Sequence, residues 1–426
     1  MSNKFKAKYN LFSILFIATT LCFVFKTGAI YSPDSIGYIN MDIYRSSGYP
    51  LFISLHKLIF GAFFINFLLF SQFALNIYSI FFVTKNISNC LSLSKLNSYF
   101  LLLLFSIPFF YETKVINSVL SEAVAYPLFL LIVGTILAFI TFKNFKNIYL
   151  SFLLLLILIQ VRGQFLFLVP VLIIVVLISK INNKYSKNHW IAIAFAVSIP
   201  FFSVGTDIAF HKIAHNNATT TPWTGIQISA LPFFVSKPND YFIFESKLQR
   251  EYFKYIYSNL EKKKILLSQV PEYPLSKIDF YFAHYVEIAN NIIGNSGEEF
   301  FKNKYTPDEL VVVNDRMATS MTVPLIKNNL GKWLKLYFQN IAKGIGSAKY
   351  LILNLLLLLF SLYKIIKENN LIAKYIFIGT LLIIGNITIV ALAEPTTSRY
   401  CFYTNWILIT IVMVLFQKTF FKKTDE

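Results

Sequence analysis

Charged side chains are scarce in this chain, and several that could do chemistry fall in a few short polar segments. Asp34, Asp42 and Arg45 share one segment. Glu112 and Lys114 share a second, just ahead of Glu122. Arg162 stands beside Gly163 in a third, and Glu394 and Arg399 share a fourth. Each segment separates two apolar runs, and carboxylates mixed with cations at one face of such a chain suggest a polar site. Other patterns are weaker. His211 and His215 are four apart, which puts them on one helical face at the spacing of a metal pair. No third ligand stands nearby, so two polar residues leaving a helix is the simpler reading. Asn217-Ala-Thr219 fits a glycosylation sequon, a triplet common by chance. Cys22, Cys90 and Cys401 lie far apart in or beside apolar stretches and read as small core residues, with neither a disulfide framework nor a metal quartet.

The elements that must position these groups are membrane helices. The 426 residues are 56% hydrophobic and 14% charged, too little charge to cover a soluble domain of this size. Hydrophobic residues come in solid runs bounded by Lys and Asn, as in Leu150–Ile159 and Val171–Ile178. Backbone groups in lipid must be paired within their own segment, so such runs are helices, and the alternation of a β-barrel is absent. Spans are expected at 9–30, 61–83, 96–111, 119–142, 147–160, 164–179, 189–209, 346–363, 371–392 and 402–417. The fold class is therefore an all-α polytopic membrane protein with about ten transmembrane helices. The N-terminal run reads as an uncleaved first helix. Arg162-Gly163 marks a tight hairpin between the fifth and sixth spans.

Charge sets the expected orientation. With the N-terminus inside, the inner segments and their flanks carry Lys4, Lys6 and Lys8; Lys85 and Lys95; Lys143 and Lys146; Lys180, Lys184 and Lys187; Lys364, Lys367 and Lys374; and Lys418, Lys422 and Lys423. The outer short segments and their flanks carry only Lys26, Arg45, Lys57, Lys114, Arg162 and Arg399. Both termini are then cytoplasmic by the positive-inside rule, and every mixed-charge segment faces outward. The net charge of +18 is explained by these helix-end lysines, not by nucleic acid. The chain divides into 1–209, an N-terminal transmembrane module; 210–345, a mixed, mostly helical extracytoplasmic domain; and 346–426, the C-terminal helices. Segment 241–268 has helical spacing. Segments 329–345 and 49–60 read as amphipathic helices at the interface.

The first outer loop, Tyr31-Ser-Pro-Asp34 followed by Arg45-Ser-Ser-Gly-Tyr-Pro50, resembles the GT-C superfamily of integral membrane glycosyltransferases, especially the branch of protein mannosyltransferases and aminoarabinose transferases. Ser121-Glu122 opening the fourth helix, Val161-Arg162-Gly163 ahead of Pro170, and Ser398-Arg399-Tyr400 opening the last helix extend the resemblance. It covers most of residues 10–180 and, more weakly, 330–417. The sequence departs from the family where Arg-x-Pro-Gly-Tyr-Pro is expected. It also departs where a paired acid is common, since Asp34 is followed by Ser35; this leaves the need for a divalent metal open.

The resemblance implies a sugar donor on a polyprenyl phosphate, and a glycan, lipid or protein acceptor at the outer face of a bacterial cytoplasmic membrane. A phosphate leaves without a proton, so one carboxylate suffices as general base on the acceptor hydroxyl, with inversion at the sugar. Asp34 is that base in this reading. Arg162 and Arg399, then Arg45 and Lys114, hold the phosphate, because guanidinium grips phosphate bidentately. Asp42, Glu112, Glu122 and Glu394 support them. Plainer roles stand beside these. Asp34 after Pro33 suits a turn, Arg162 can snorkel, Glu122 suits a helix dipole, Asp42 can pair with Arg45, and Glu394 with Arg399. Tyr31, Tyr38, Tyr49 and Trp223 suit either sugar stacking or the interface belt. The alternative functions are a transporter or flippase of lipid-linked saccharide, which usually places its polar groups at mid-membrane in paired repeats, and a polysaccharide polymerase or ligase.

Overall fold

The computed structural model describes residues 3–111, 114–180, 185–272 and 274–420, the side chains of 3–10 and 420 excepted. Lys184, Lys422, Lys423 and the side chains of Lys4, Lys6 and Lys8, used above for orientation, lie outside what is described. The chain is all-helical. The only β pairing among the described residues is an isolated parallel bridge between Ile30 and Ser118.

The first part runs α1 (Asn3–Thr27), α2 (Pro33–Asn40), α3 (Gly48–Phe60), α4 (Phe64–Leu91), α5 (Lys95–Phe110), α6 (Glu122–Phe142), α7 (Phe145–Val161), α8 (Leu168–Ile178) and α9 (Lys187–His215). Then follow α10 (Thr224–Val235), α11 (Lys247–Lys262), α12 (Lys277–Val286), α13 (Gly297–Phe301), α14 (Pro307–Asn328) and α15 (Leu330–Gly344). The chain closes with α16 (Ala348–Glu368), α17 (Leu371–Ala393), the single turn α18 (Ser398–Cys401) and α19 (Trp406–Phe420). A helix occupies each of the ten expected runs. Among the described residues six helical stretches are long and apolar enough to cross a membrane: Gly48–Leu91, Glu122–Phe142, Lys187–His215, Ala348–Glu368, Leu371–Ala393 and Ser398–Thr419. Five shorter apolar helices accompany them, four of them on expected runs and the fifth α10.

Helix α6 is the axis of the apolar body. Nearly all of its residues are buried, and α4 and α7 lie against it. Its turn into α7 is set locally: Lys143 takes the left-handed conformation that ends α6, and the Asn144 side chain caps Lys146 N–H. By contrast α16 exposes Leu356, Leu359 and Phe360, an apolar face suited to lipid.

Residues 226–336 build a second hydrophobic core around α10, with Phe233, Phe234, Tyr252, Phe253, Tyr281, Ile288 and Leu325 buried together. Helix α10 starts where the Asp315 carboxylate of α14 accepts from the Trp223 and Ile226 backbone N–H groups, satisfying donors that a helix start leaves free. The amphipathic segment expected at 329–345 is α15; it buries Trp333, Leu336, Asn340 and Ile341 and leaves Phe338 exposed. The Asn340 amide donates to the Ala391 and Glu394 carbonyls, and the Thr396 hydroxyl donates back to the Asn340 carbonyl. These bonds tie the second core to the end of α17. The break at Arg162 is realised as one extended residue followed by a 3-10 turn, Gly163–Phe167.

Candidate active site

Asp34 sits in the first turn of α2, and the reasons are local. Pro33 has the fixed φ a helix start needs, and the Ser32 backbone N–H donates to Ser35 Oγ at 2.9 Å. The helix stops after two turns because Met41 turns left-handed, with φ of 60°. The chain then doubles back, and Arg45 Nη2 donates to Asp34 Oδ1 at 3.0 Å. The guanidinium lies over the rings of Tyr38 and Tyr44, 4.6 and 5.0 Å from their centroids. Gly37 makes room for it: a Cβ there would stand 2.9 Å from Arg45 Nε.

The other Asp34 oxygen accepts from Arg399 Nη2 at 2.9 Å. Arg399 Nε in turn donates to Glu122 Oε1 at 2.6 Å, and Arg162 Nη1 meets the same oxygen at 2.8 Å. The result is a continuous chain of alternating charge, Arg45–Asp34–Arg399–Glu122–Arg162, drawn from the α2–α3 region, the start of α6, the end of α7 and α18. Ser121 ties it to the first loop, accepting from Tyr38 Oη at 3.1 Å and from Arg162 Nη1 at 3.2 Å. Arg162 Nε donates to Gln164, whose amide reaches Asn386 of α17. Arg162 and Arg399 both lie near the Tyr400 ring.

Burial pushes the Asp34 carboxyl up, but Arg45 and Arg399 outweigh it, and the group sits below its ordinary value. It is ionised at neutral pH. Burial and the hydrogen bond to Asp42 push the Tyr44 hydroxyl up to about 12. Glu394 follows α17 directly and accepts from Gln227 Nε2 of α10 at 2.7 Å. Burial raises this carboxyl against the pull of Tyr400, Arg162 and Arg399.

The geometry therefore brings together Asp34, Arg45, Glu122, Arg162 and Arg399. Two simple pairings do not form. Arg45 bonds Asp34, while Asp42 accepts from the Tyr44 hydroxyl at 2.7 Å. Arg399 bonds Asp34 and Glu122, and Glu394 faces Gln227. Lys114 is exposed with a positive φ and makes no ion pair among the described residues. Glu112 lies outside the described residues. Tyr49 is fully buried, donating to Gln72, so it is part of the core and no sugar platform. His211 is occupied by the Asp207 and Ile43 carbonyls, and His215 by Asp308. Cys90 and Cys401 are buried and Cys22 is exposed.

Gln160, Ser121, Gln164 and Gln227 are part of the scaffold that residue-type reasoning passed over. Gln160 accepts from Ser47 and donates to Ser203, joining α3, α7 and α9 beside the network. Two glutamines flanking an arginine at the end of an apolar run were the available signal. A scan against protein-family models, a search of curated proteins and a search of solved structures each return no match.

Chemically, the arrangement offers an ionised carboxylate held by two guanidinium groups, one of which shares Glu122 with a third. It suits a divalent cation poorly, because both Asp34 and Glu122 are bridged by two arginines each. Among the described residues no three His, Cys, Asp or Glu side chains are grouped to hold a metal.

Proposed function

We propose that this chain is a GT-C-type membrane glycosyltransferase that moves a sugar from a polyprenyl-phosphate donor to a glycan, lipid or protein acceptor. In this reading about ten helices span the membrane and both termini face the cytoplasm. Residues 210–345 form an extracytoplasmic domain. The observation that carries the proposal is the joining of Asp34 to Arg399 and, through Glu122, to Arg162, residues from four segments distant in sequence.

The mechanism uses competition for the arginines. The donor phosphate, with its lipid tail in the bilayer, takes guanidinium N–H groups from Asp34 and so frees a carboxylate oxygen. That oxygen accepts the proton of the acceptor hydroxyl. The hydroxyl oxygen bonds the anomeric carbon as the carbon–phosphate-oxygen bond breaks, and the electron pair leaves on the phosphate. The configuration inverts, because attack and departure occupy opposite faces. Arg45, Arg162 and Arg399 hold the growing negative charge. The glutamate between Arg162 and Arg399 keeps two like charges close together before substrate arrives.

The test is Asp34→Asn in cells and in purified protein. Sugar transfer is lost while the variant inserts and accumulates normally. Full transfer by the variant removes the proposal. Counterflow of a lipid-linked saccharide in liposomes, without a new glycosidic bond, assigns the chain to transport instead.

A further inference from the structure

We infer that the cleft between the α2–α3 linker and the start of α14 is the acceptor subsite, and that it takes a hydroxyl-rich saccharide that is neutral or amine-bearing and excludes an anionic one. The inference rests on the transferase reading above. The cleft holds about 350 Å³, the size of a small-ligand site. Asp42 and Tyr44 line one side, His215 the end of α9, and Glu298 and Asp308 the other side. Three carboxylates line it, and neither lysine nor arginine is among the lining residues, although basic residues outnumber acidic ones 39 to 21 in the chain.

The cleft adjoins the reaction centre. Tyr44, one of its walls, supports the guanidinium of Arg45, which holds Asp34. Two side chains, Tyr44 and then Arg45, thus link the cleft to the general base. Glu298 of the far wall follows a π-helical stretch, Glu287–Ser296. Its freed Ile293 and Gly294 carbonyls accept from the Asn314 amide, and the next turn delivers Glu298 to the cleft. His215 binds Asp308 through Nδ1, and its Nε2 is sealed from the cleft without a partner among the described residues.

Carboxylates accept from hydroxyl and ammonium groups alike, and an aromatic wall fits the apolar face of a sugar ring. A uronate or phosphorylated sugar would meet like charge at close range. The acidic side chains do not group as a metal site among the described residues, which favours a sugar over a cation.

The experiment measures binding directly, by saturation-transfer NMR on the full chain in neutral-lipid nanodiscs. Glucosamine, N-acetylglucosamine and glucuronate are the probes, competed in pairs. The first two bind, and glucuronate binds at least about tenfold more weakly. Glu298→Lys with Asp308→Asn narrows or inverts that preference. Equal or tighter glucuronate binding, no binding of any probe, an unchanged preference in the double variant, or displacement of sugar by calcium would each overturn the inference. Asp34→Asn keeps the preference while losing transfer. If the preference is absent but transfer still depends on Asp34, the subsite falls and the transferase reading stands.

Discussion

Glu122→Gln probes the network where it is most buried. The Glu122 side chain is 2% exposed and that of Arg162 13%, so this pair lies out of water. Removing one partner of a buried pair leaves an uncompensated charge, at about 3–5 kcal/mol. The contact with Arg399 adds less, about 0–1 kcal/mol, because Arg399 is 37% exposed and keeps Asp34. Glutamine still offers one oxygen, but its amide turns an N–H toward a guanidinium. The expected destabilisation is about 4 kcal/mol, or a fall of roughly 4–5 °C in melting temperature. Thiol-reactive dye labelling during heating reads it directly, since Cys90 and Cys401 are buried until the bundle opens. Adding Arg162→Gln should restore part of the loss, because both charges then leave together. A shift under about 2 °C for Glu122→Gln, or simple additivity in the double variant, refutes the argument that these charges are coupled.

Asp34 is held below its usual value by Arg45 and Arg399 despite burial, so its share of stability is present above the ordinary value of 3.8 and is lost as pH falls through the lower folded value. A pH–rate profile should accordingly show no acid limb from this group between pH 7 and about 5. Glu394 behaves the other way: its raised value means the folded state takes up its proton first, so ionisation erodes stability as pH rises above the ordinary value of 4.5. Glu394→Gln should equal or exceed the parent in melting temperature, with the gap growing as pH rises from 4.5. Arg45→Lys loses the planar stack between Tyr38 and Tyr44, and transfer should fall about tenfold or more in a radiolabelled-donor assay. Gly48→Ala places a Cβ 2.7 Å from the Val161 backbone nitrogen, and the forced separation of α3 from α7 should cost about 1–3 kcal/mol in the same labelling assay.

Much of the helical frame was legible because apolar runs bounded by Lys and Asn leave few alternatives in lipid. The helix break at Arg162, though not the tight hairpin expected there, and the amphipathic helix over 329–345 were legible for the same reason: polar residues interrupt or edge an apolar pattern. The identity of the charged cluster followed from its rarity. Its pairing did not. Asp42 lies three residues from Arg45 and Glu394 five from Arg399, and proximity in sequence favoured those partners. The left-handed turn at Met41 reverses the chain and presents Arg45 to Asp34 instead. The short turn α18 swings Arg399 away from Glu394 toward Glu122. Both are tertiary choices that side-chain type does not encode. The glutamine clamps were illegible for a related reason, since an amide shows its value only once its two neighbours are known.

The spacing of the network along the chain has a consequence for biosynthesis. Arg399 follows Glu122 by 277 residues and Asp34 by 365. A ribosome-bound chain that has made its early helices holds Glu122 and Arg162 but lacks the guanidinium that joins them to Asp34. The network closes only once the segment that carries Arg399 has been made. The late segment thus decides when the charge network of a new copy is complete.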